Sequence, residues 1–199
     1  MKTYQINKFT NWNDIPILNI DVPYLETPSD ITASAQISWN ENSLLIHLST
    51  RELQTRAEER GELAAPCKDS CLEFFICPMQ DDNRYLNIEF NSLGTLFLGI
   101  GSSVDTLTRL ILPEGHESTF EPEINKYNDG WEIFYKLPFD FICRFFPDFE
   151  AKEGKTVRAN CYKCADLSEP PHYLSWSEVD RERFTFHRPE KFGTMIFKS

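Results

Sequence analysis

The chain is built from short runs in which apolar and polar residues alternate. In residues 85–91, for example, Leu86, Ile88 and Phe90 alternate with polar residues. A period of two over four to eight residues predicts half-buried β-strands with one face on a core. Ten segments are expected to be strands, namely 31–39, 44–49, 71–76, 85–91, 95–100, 107–112, 131–137, 157–162, 173–179 and 194–197.

Turn residues separate these segments and favour an antiparallel arrangement. Asn-rich and Gly-containing stretches such as Asn128-Asp129-Gly130 recur every 8–15 residues, about the spacing of hairpins. The expected fold class is therefore all-β, an antiparallel two-sheet β-sandwich of jelly-roll type with about ten strands. Little helix is predicted: 139–146 is a candidate short helix, and 51–62 is either a helical turn or a loop. No linker or repeat is visible, so residues 1–199 are expected to form a single domain.

The alternation also identifies a candidate core. The residues expected to be buried are Leu44, Ile46, Leu48, Leu72, Phe74, Ile76, Leu86, Ile88, Phe90, Ile133, Val157 and Ile196.

The net charge of the chain limits the classes of molecule that it is expected to bind. The chain has 199 residues and a formal net charge of −11, without a run of Lys or Arg. Nucleic-acid binding and attachment to an anionic membrane are therefore not expected, because both need a basic surface. The first residues lack the apolar stretch of a signal peptide, so a cytoplasmic protein is expected, or a secreted or periplasmic one if a leader has been trimmed.

Six cysteines are expected to be free thiols. Cys71 and Cys77 share one predicted strand and lie about 20 Å apart, too far for a disulfide. A four-cysteine zinc site could form from Cys67, Cys71, Cys161 and Cys164 if the two segments meet. The spacing of the first pair suits zinc poorly, and buried thiols are the favoured interpretation.

Polar residues occupy alternate positions on three of the predicted strands. Asn87 and Glu89 share one strand face, Arg158 and Asn160 share another, and Glu73 lies on a third. If these strands are neighbours, the side chains form a platform of donors and acceptors that suits sugar hydroxyls. The alternative is a solvated sheet face with cross-strand ion pairs, such as Arg158 with Glu89.

An aromatic segment could supply the apolar part of such a site. Trp176 lies in a His-Tyr-Leu-Ser-Trp run after two prolines and is the best candidate for stacking on a sugar ring, the alternative being a core position. No nucleophile-elbow, phosphate-loop or zinc-protease motif is found. Glu73 and Glu89 could act as a glycosidase pair, which leaves a hydrolytic protein as an alternative function.

Several of these segments, in this order along the chain, follow a family pattern. They are Lys68–Phe75, Tyr85–Asn91 with Gly94, Trp131-Glu132, Arg158–Cys164, His172–Trp176 and Phe186–Gly193. The chain resembles the family 9-like carbohydrate-binding modules, within the broader DOMON-like group of β-sandwiches.

The resemblance implies a sandwich that holds a mono- or oligosaccharide on its concave face between aromatic side chains. It implies Trp176 as one aromatic wall, with Trp39, Tyr85 and Phe75 competing for the other. Some such modules bind structural calcium, and they commonly accompany glycoside hydrolases in carbohydrate catabolism.

The expected function is thus a non-catalytic carbohydrate-binding module with a saccharide ligand. The expected contact residues are Trp176, Arg158, Asn160, Glu73, Asn87 and Glu89. A third alternative is a haem-binding DOMON-like domain, for which Met79 and His187 are the only loosely plausible axial ligands.

Overall fold

Strands dominate the computed structural model, which describes residues 2–113, 115–179 and 185–199. About 44% of it is strand and 12% is helix. The strands that it describes are Thr3–Lys8 (β1), Leu18–Ile20 (β2), Val22–Pro23 (β3), Thr32–Trp39 (β4), Ser43–Arg51 (β5), Cys71–Cys77 (β6), Tyr85–Asn91 (β7), Leu96–Gly101 (β8), Thr108–Arg109 (β9), Glu123–Tyr127 (β10), Gly130–Pro138 (β11), Thr156–Ala165 (β12), His172–Ser175 (β13) and Gly193–Lys198 (β14).

The β-sandwich expectation is confirmed, although the described residues form fourteen strands rather than about ten. Each of the ten predicted strands is present, and 107–112 shortens to β9. The four additional strands are β1, β2, β3 and β10. Strands β2 and β3 have only three and two residues, and β1 and β10 contain few apolar residues. The alternation of apolar and polar residues therefore gives little signal for these four strands.

The strands form one curled sheet whose ends fold over a common core. Its order is β10-β11-β5-β4-β1-β14-β12-β6-β7-β8-β9, with β2, β3 and β13 paired beside this path. Strand β1 runs parallel to both β14 and β4, whereas every other pairing of the described strands is antiparallel. The rings of Phe90 on β7 and Tyr135 on β11 lie 5.2 Å apart, so the two halves contact each other through the core.

The main core contains eleven of the twelve residues predicted to be buried. The prediction for Ile196 is wrong: this side chain is half-exposed, and its neighbours Met195 and Phe197 are buried instead. Because three consecutive residues of this strand are apolar, the sequence does not show which of them face the core. The pairing of β14 with β1 and β12 determines which side chains do so.

Helices are short. The helix predicted for 139–146 is confirmed as Phe139–Phe145 (α2), and Glu117–Phe120 forms one further turn (α1). Residues 52–62 form a loop, not a helical turn. The described residues also include four 3₁₀ turns, at Trp12–Asp14, Pro66–Lys68, Val104–Thr106 and Pro189–Lys191. In the described part of the chain, no helix combines the length and apolar character that crossing a membrane requires.

Candidate functional site

Strands β6 and β7 are buried on both faces, rather than on one face as the alternation predicted. All seven residues of each strand are buried. One face packs on the main core, and the other, which we call the second face, lies within a separate apolar cluster. The buried members of that cluster are Cys71, Phe75, Cys77, Tyr85, Tyr162, Cys164, Val179, Phe186 and Phe192. The covering residues come from distant parts of the sequence, so local pattern could not reveal them.

Side chains on the second face form rows across the sheet, because paired residues of neighbouring strands point to the same side. From β12 through β6 to β7, the rows are Cys164–Cys71–Asn91, Tyr162–Glu73–Glu89 and Asn160–Phe75–Asn87, and Arg158–Cys77 begins a fourth. Strand β8 extends the second row with Phe97 and the third with Gly99. Five of the six predicted contact residues therefore lie on one face of three adjacent strands.

Asn160 is fully engaged within the protein. Its Nδ2 donates to the Tyr162 hydroxyl at 3.0 Å and to the Ser177 carbonyl at 2.9 Å. Its Oδ1 accepts from the backbone N–H groups of Cys161 and Ser177 at 3.0 and 2.8 Å. The side chain thus anchors the chain after β13 to the sheet and has no capacity left for a ligand.

Arg158 lies at the end of the second face and ties two loops together. Its guanidinium donates to the carbonyls of Pro189 and Asp82, each at 3.1 Å, and to the side-chain oxygen of Asn83 at 3.0 Å. It does not form the cross-strand pair with Glu89 that the sequence allowed.

Glu73 and Glu89 are direct partners across β6 and β7, which places two buried carboxyl groups opposite each other. Their exposed fractions are only 2% and 6%. Burial raises the pKa of Glu89 to about 7 despite a hydrogen bond from Asn87. Burial, followed by the charge of Glu89, raises the pKa of Glu73 well above its ordinary value. Two like charges directly opposite each other destabilise a sheet. A shared proton, a bound cation or a ligand that donates hydrogen bonds would reduce this repulsion.

Asn87 adds an unused acceptor beside this pair. Its Nδ2 donates to Glu89 Oε1 at 2.9 Å, whereas its fully buried Oδ1 has no hydrogen-bond partner. A buried amide oxygen without a partner is costly and uncommon. Asn87, Glu73 and Glu89 therefore retain hydrogen-bonding capacity in the middle of the face, and at its end the buried Nε of Arg158 is also without a partner.

Two thiols complete the polar region. The Cys164 thiol donates to Glu73 Oε1 at 2.8 Å, and Cys71 is the cross-strand partner of Cys164. Cys161 points into the main core, on the other side of the sheet. The four-cysteine arrangement considered from sequence therefore does not form, because residues 161 and 164 of one strand face opposite sides.

Trp176 lies outside the second face, in the main core. It is 5% exposed and meets Tyr4 edge-on, with ring centroids 6.5 Å apart. Its six-membered ring covers Gly193, where an added Cβ would lie 2.4 Å from the indole. The indole consequently offers no open face to a sugar, which corrects the position expected from sequence.

The three candidates for the second aromatic wall of a sugar site, Trp39, Tyr85 and Phe75, are buried as well. Trp39 donates its indole N–H to the Lys198 carbonyl at 2.8 Å, and Phe75 stacks on Tyr85 with centroids 5.5 Å apart. Half-exposed aromatic residues of this region include Phe97 on β8, Tyr173 on β13 and Tyr24. Phe97 shares a row with both carboxyl groups, a placement that only the strand register reveals.

Arg109 stands beside this aromatic edge. Its guanidinium lies over the Phe97 ring, 4.4 Å from the centroid, and donates to the carbonyls of Glu62 and Ala64 at 2.7 and 2.6 Å. The loop between β5 and β6 is thereby held against the edge of the second face.

The pair suggested for haem does not share a site. Met79 packs against the main core. His187 packs on Phe75 of the second face, and its Nδ1 lies 2.7 Å from the Tyr85 hydroxyl. The sheet separates the two side chains, so they cannot ligate one iron.

Comparison with known structures places this fold among sugar-binding modules. A proposed carbohydrate-binding protein from Bacteroides uniformis ATCC 8492 is 26% identical, with a TM-score of 0.84 and 99% coverage of both chains. A family 9 module from Caldicellulosiruptor kristjanssonii in complex with cellotriose is 12% identical, with a TM-score of 0.69 over 99% of this chain and 94% of that one. The glucose complex of a family 9 module from the same organism is 12% identical, with a TM-score of 0.70 over 99% and 96%.

The sequence was compared with curated proteins and with models of protein families. No curated protein matches the chain. The sequence profile described as carbohydrate-binding family 9 matches residues 5–197, nearly its full length. Together with the two-layered β-fold, this match shows that the chain belongs to carbohydrate-binding family 9.

Proposed function

We propose that this protein is a non-catalytic carbohydrate-binding module whose ligand contacts Asn87 and Glu89 on the second face, with Glu73 behind them. The observation that carries the proposal is the buried Asn87 Oδ1, which has no partner and lies beside two opposed carboxyl groups. Family membership supports the same conclusion, and related modules are known in complex with glucose and cellotriose.

The chemistry of these groups suits sugar hydroxyls. An ionised carboxylate and an amide oxygen both accept hydrogen bonds, and each hydroxyl of a sugar can donate one. A hydroxyl bonded to Asn87 Oδ1 would satisfy the orphan acceptor, and hydroxyls bonded to Glu89 would offset part of the cost of its burial. The strands hold these groups rigidly, which reduces the entropy cost of binding.

The side of the second face at Phe97 on β8 is the entry that we propose. Phe97 is half-exposed and belongs to the same row as Glu89, whereas the other end of the second face is filled by aromatic packing. There, Tyr162 stacks on Phe186 with centroids 4.1 Å apart. Because the Arg109 guanidinium covers one face of the Phe97 ring, a pyranose entering here would contact the exposed remainder of that ring and place its hydroxyl rim toward Glu89 and Asn87.

Calorimetric titration with glucose and cellotriose tests the proposal. We expect weak binding, about micromolar to millimolar, because a sugar exchanges bonds with water for bonds with protein. Glu89→Gln and Asn87→Ala should each weaken it about tenfold or more, since bonds to a charged group contribute about 1.5–3 kcal/mol. Glu123→Gln, an exposed substitution on β10 at the far end of the sheet, is the matched control.

Two results would contradict the proposal. Unchanged affinity in both site variants would show that the sugar binds elsewhere, and the absence of binding to every glycan of a broad array would contradict a carbohydrate-binding function.

Chromogenic glycosides provide a separate test of catalysis. Turnover that is lost in both Glu73→Gln and Glu89→Gln would identify a hydrolase instead.

A further inference from the structure

A compact group of potential metal ligands lies at one end of the second face. The thiol sulfurs of Cys71 and Cys164 and one carboxyl oxygen of Glu73 lie within 4.8 Å of one another. Cys71 and Cys164 are direct cross-strand partners, and Glu73 is two residues along β6, on the same side. Each of these residues is at most 2% exposed. Strand pairing, not a mobile loop, therefore sets their arrangement.

We propose that Cys71, Cys164 and Glu73 form a binding site for a zinc ion. Two thiolates and a carboxylate are ligands that zinc accepts, and thiolates select zinc over the hard cations. Calcium does not fit, because it takes six to eight oxygen ligands. The proposal does not depend on sugar binding, because it concerns the metal alone.

The distances require only a small adjustment. With Zn–S bonds of about 2.3 Å in a tetrahedron, two sulfurs lie about 3.8 Å apart, and a sulfur and an oxygen about 3.5 Å apart. The Cys164 sulfur and Glu73 Oε1 are 2.8 Å apart and would separate by about 0.7 Å to admit the ion. Rotation about side-chain bonds can supply this shift while the strands stay in place.

The charges around the site favour a cation. Glu89 faces Glu73 directly, and a bond from Glu73 to a divalent ion would offset part of the repulsion between these two carboxylates, although the two thiolates already balance the formal charge of the ion. Burial raises the pKa of Cys71 to about 12 and raises the pKa of Cys164 well above its ordinary value. The Cys164 thiol holds its proton in the hydrogen bond to Glu73 Oε1. Zinc binding breaks two S–H bonds and forms two Zn–S bonds and one Zn–O bond, and it releases to the buffer the two thiol protons together with any proton held by Glu73.

Cys67 marks an access route. It is half-exposed, and its carbonyl accepts from the Cys164 thiol at 3.7 Å. A metal ion can therefore reach Cys164 from the side of the Pro66–Lys68 turn. The fourth position of the tetrahedron would be filled by water or by a further ligand, as in zinc sites with three protein ligands.

Zinc and cobalt titrations of the whole, reduced and chelator-treated protein test this inference. We expect one equivalent of zinc to bind, with the release of about two to three protons, two from the thiols and up to one from Glu73, as measured by calorimetry in buffers of different ionisation enthalpy. Cobalt should give an intense thiolate-to-metal charge-transfer band. Cys71→Ser and Cys164→Ser should lose the tight equivalent and the band. Cys143→Ser, which alters a half-buried thiol on α2, should retain both.

The wild-type cobalt spectrum decides the question even if a variant fails to fold. Absence of the thiolate band, or zinc binding that persists unchanged in Cys71→Ser, would overturn the proposal. So would mass spectrometry showing that Cys71 and Cys164 form a disulfide that reductants do not open. Sugar titrations with and without zinc keep this outcome separate from that of the proposed function.

Discussion

Glu89 is expected to destabilise the folded protein at neutral pH, and Glu89→Gln should remove that cost. The pKa of Glu89 is about 7 in the folded protein, because burial disfavours the charged form, against 4.5 for the ordinary group. Raising the pKa from 4.5 to about 7, at about 1.4 kcal/mol for each factor of ten in the ionisation constant, corresponds to about 3–3.5 kcal/mol. Gln has nearly the same shape and can still accept the hydrogen bond from Asn87.

The sign follows from the direction of the shift. Because the pKa is higher in the folded state, the stabilising effect of protonation is fully present below pH 4.5. It is lost as the pH rises toward about 7. Glu89→Gln should therefore match the wild type near pH 4. At pH 8 it should unfold with a free energy about 3 kcal/mol higher, roughly 6–12 °C in Tm for a chain of this size.

Urea denaturation from pH 4 to pH 8 with a metal chelator present measures this difference. Subtracting the variant from the wild type at each pH cancels the titration of the other groups, apart from Glu73, whose pKa Glu89 also raises. Glu123→Gln, exposed on β10, is the control and should shift stability by less than about 0.5 kcal/mol. A Glu89→Gln effect that does not change with pH would refute the reasoning, as would a variant less stable than wild type at pH 8.

Two further substitutions test the core side of the sheet. Trp176→Phe should lower the free energy of unfolding by about 1–3 kcal/mol in urea denaturation yet leave sugar affinity unchanged, and a folded variant that loses sugar would contradict its core position. Lys163→Met should cost about 3–5 kcal/mol at pH 7, because Lys163 is fully buried 3.2 Å from Glu52, whose carboxylate would lose its cation. Although burial raises the pKa of Glu52, its hydrogen bond with His172 and the charge of Lys163 lower that pKa to about 2. The cost should therefore shrink as the pH falls below about 4.5, whereas an equal loss at pH 7 and pH 3 would show that the ion pair is not its source.

The fold could be predicted because its strands carry their own signal. Alternation in β5, β6, β7, β11 and β12 reflects the main core, which one face of each strand contacts. Short β2 and β3 could not be found in this way, because their existence depends on pairing with β4 and β13. Ile196 shows the same limit within a strand, since only its neighbours decide which side faces the core.

The site was only partly predictable, because alternation reveals a face but not what covers it. Glu73, Asn87 and Glu89 were identified as one platform, and the strand order does bring them together. Hydrogen bonds to residues distant in sequence engage Asn160 and Arg158 instead. Trp176 shares its aromatic segment with a half-exposed tyrosine, and only its contact with Gly193 reveals that it belongs to the core. The thiols beside Glu73 required the register of β6 and β12.

The opposed carboxyl groups bear on whether the second face is structural or functional. A face kept only for stability would not place Glu73 opposite Glu89, because two apolar residues of similar size would avoid the cost of burying both. Nor would it leave Asn87 Oδ1 without a partner. A sugar hydroxyl would satisfy the amide and one carboxylate, whereas a zinc ion would bind Glu73 and leave the amide unchanged. Stabilisation of wild type by glucose that disappears in Asn87→Ala, together with stabilisation by zinc that persists there, would assign the two ligands to adjacent parts of one face. Loss of both effects in Asn87→Ala would mean that they share a single site.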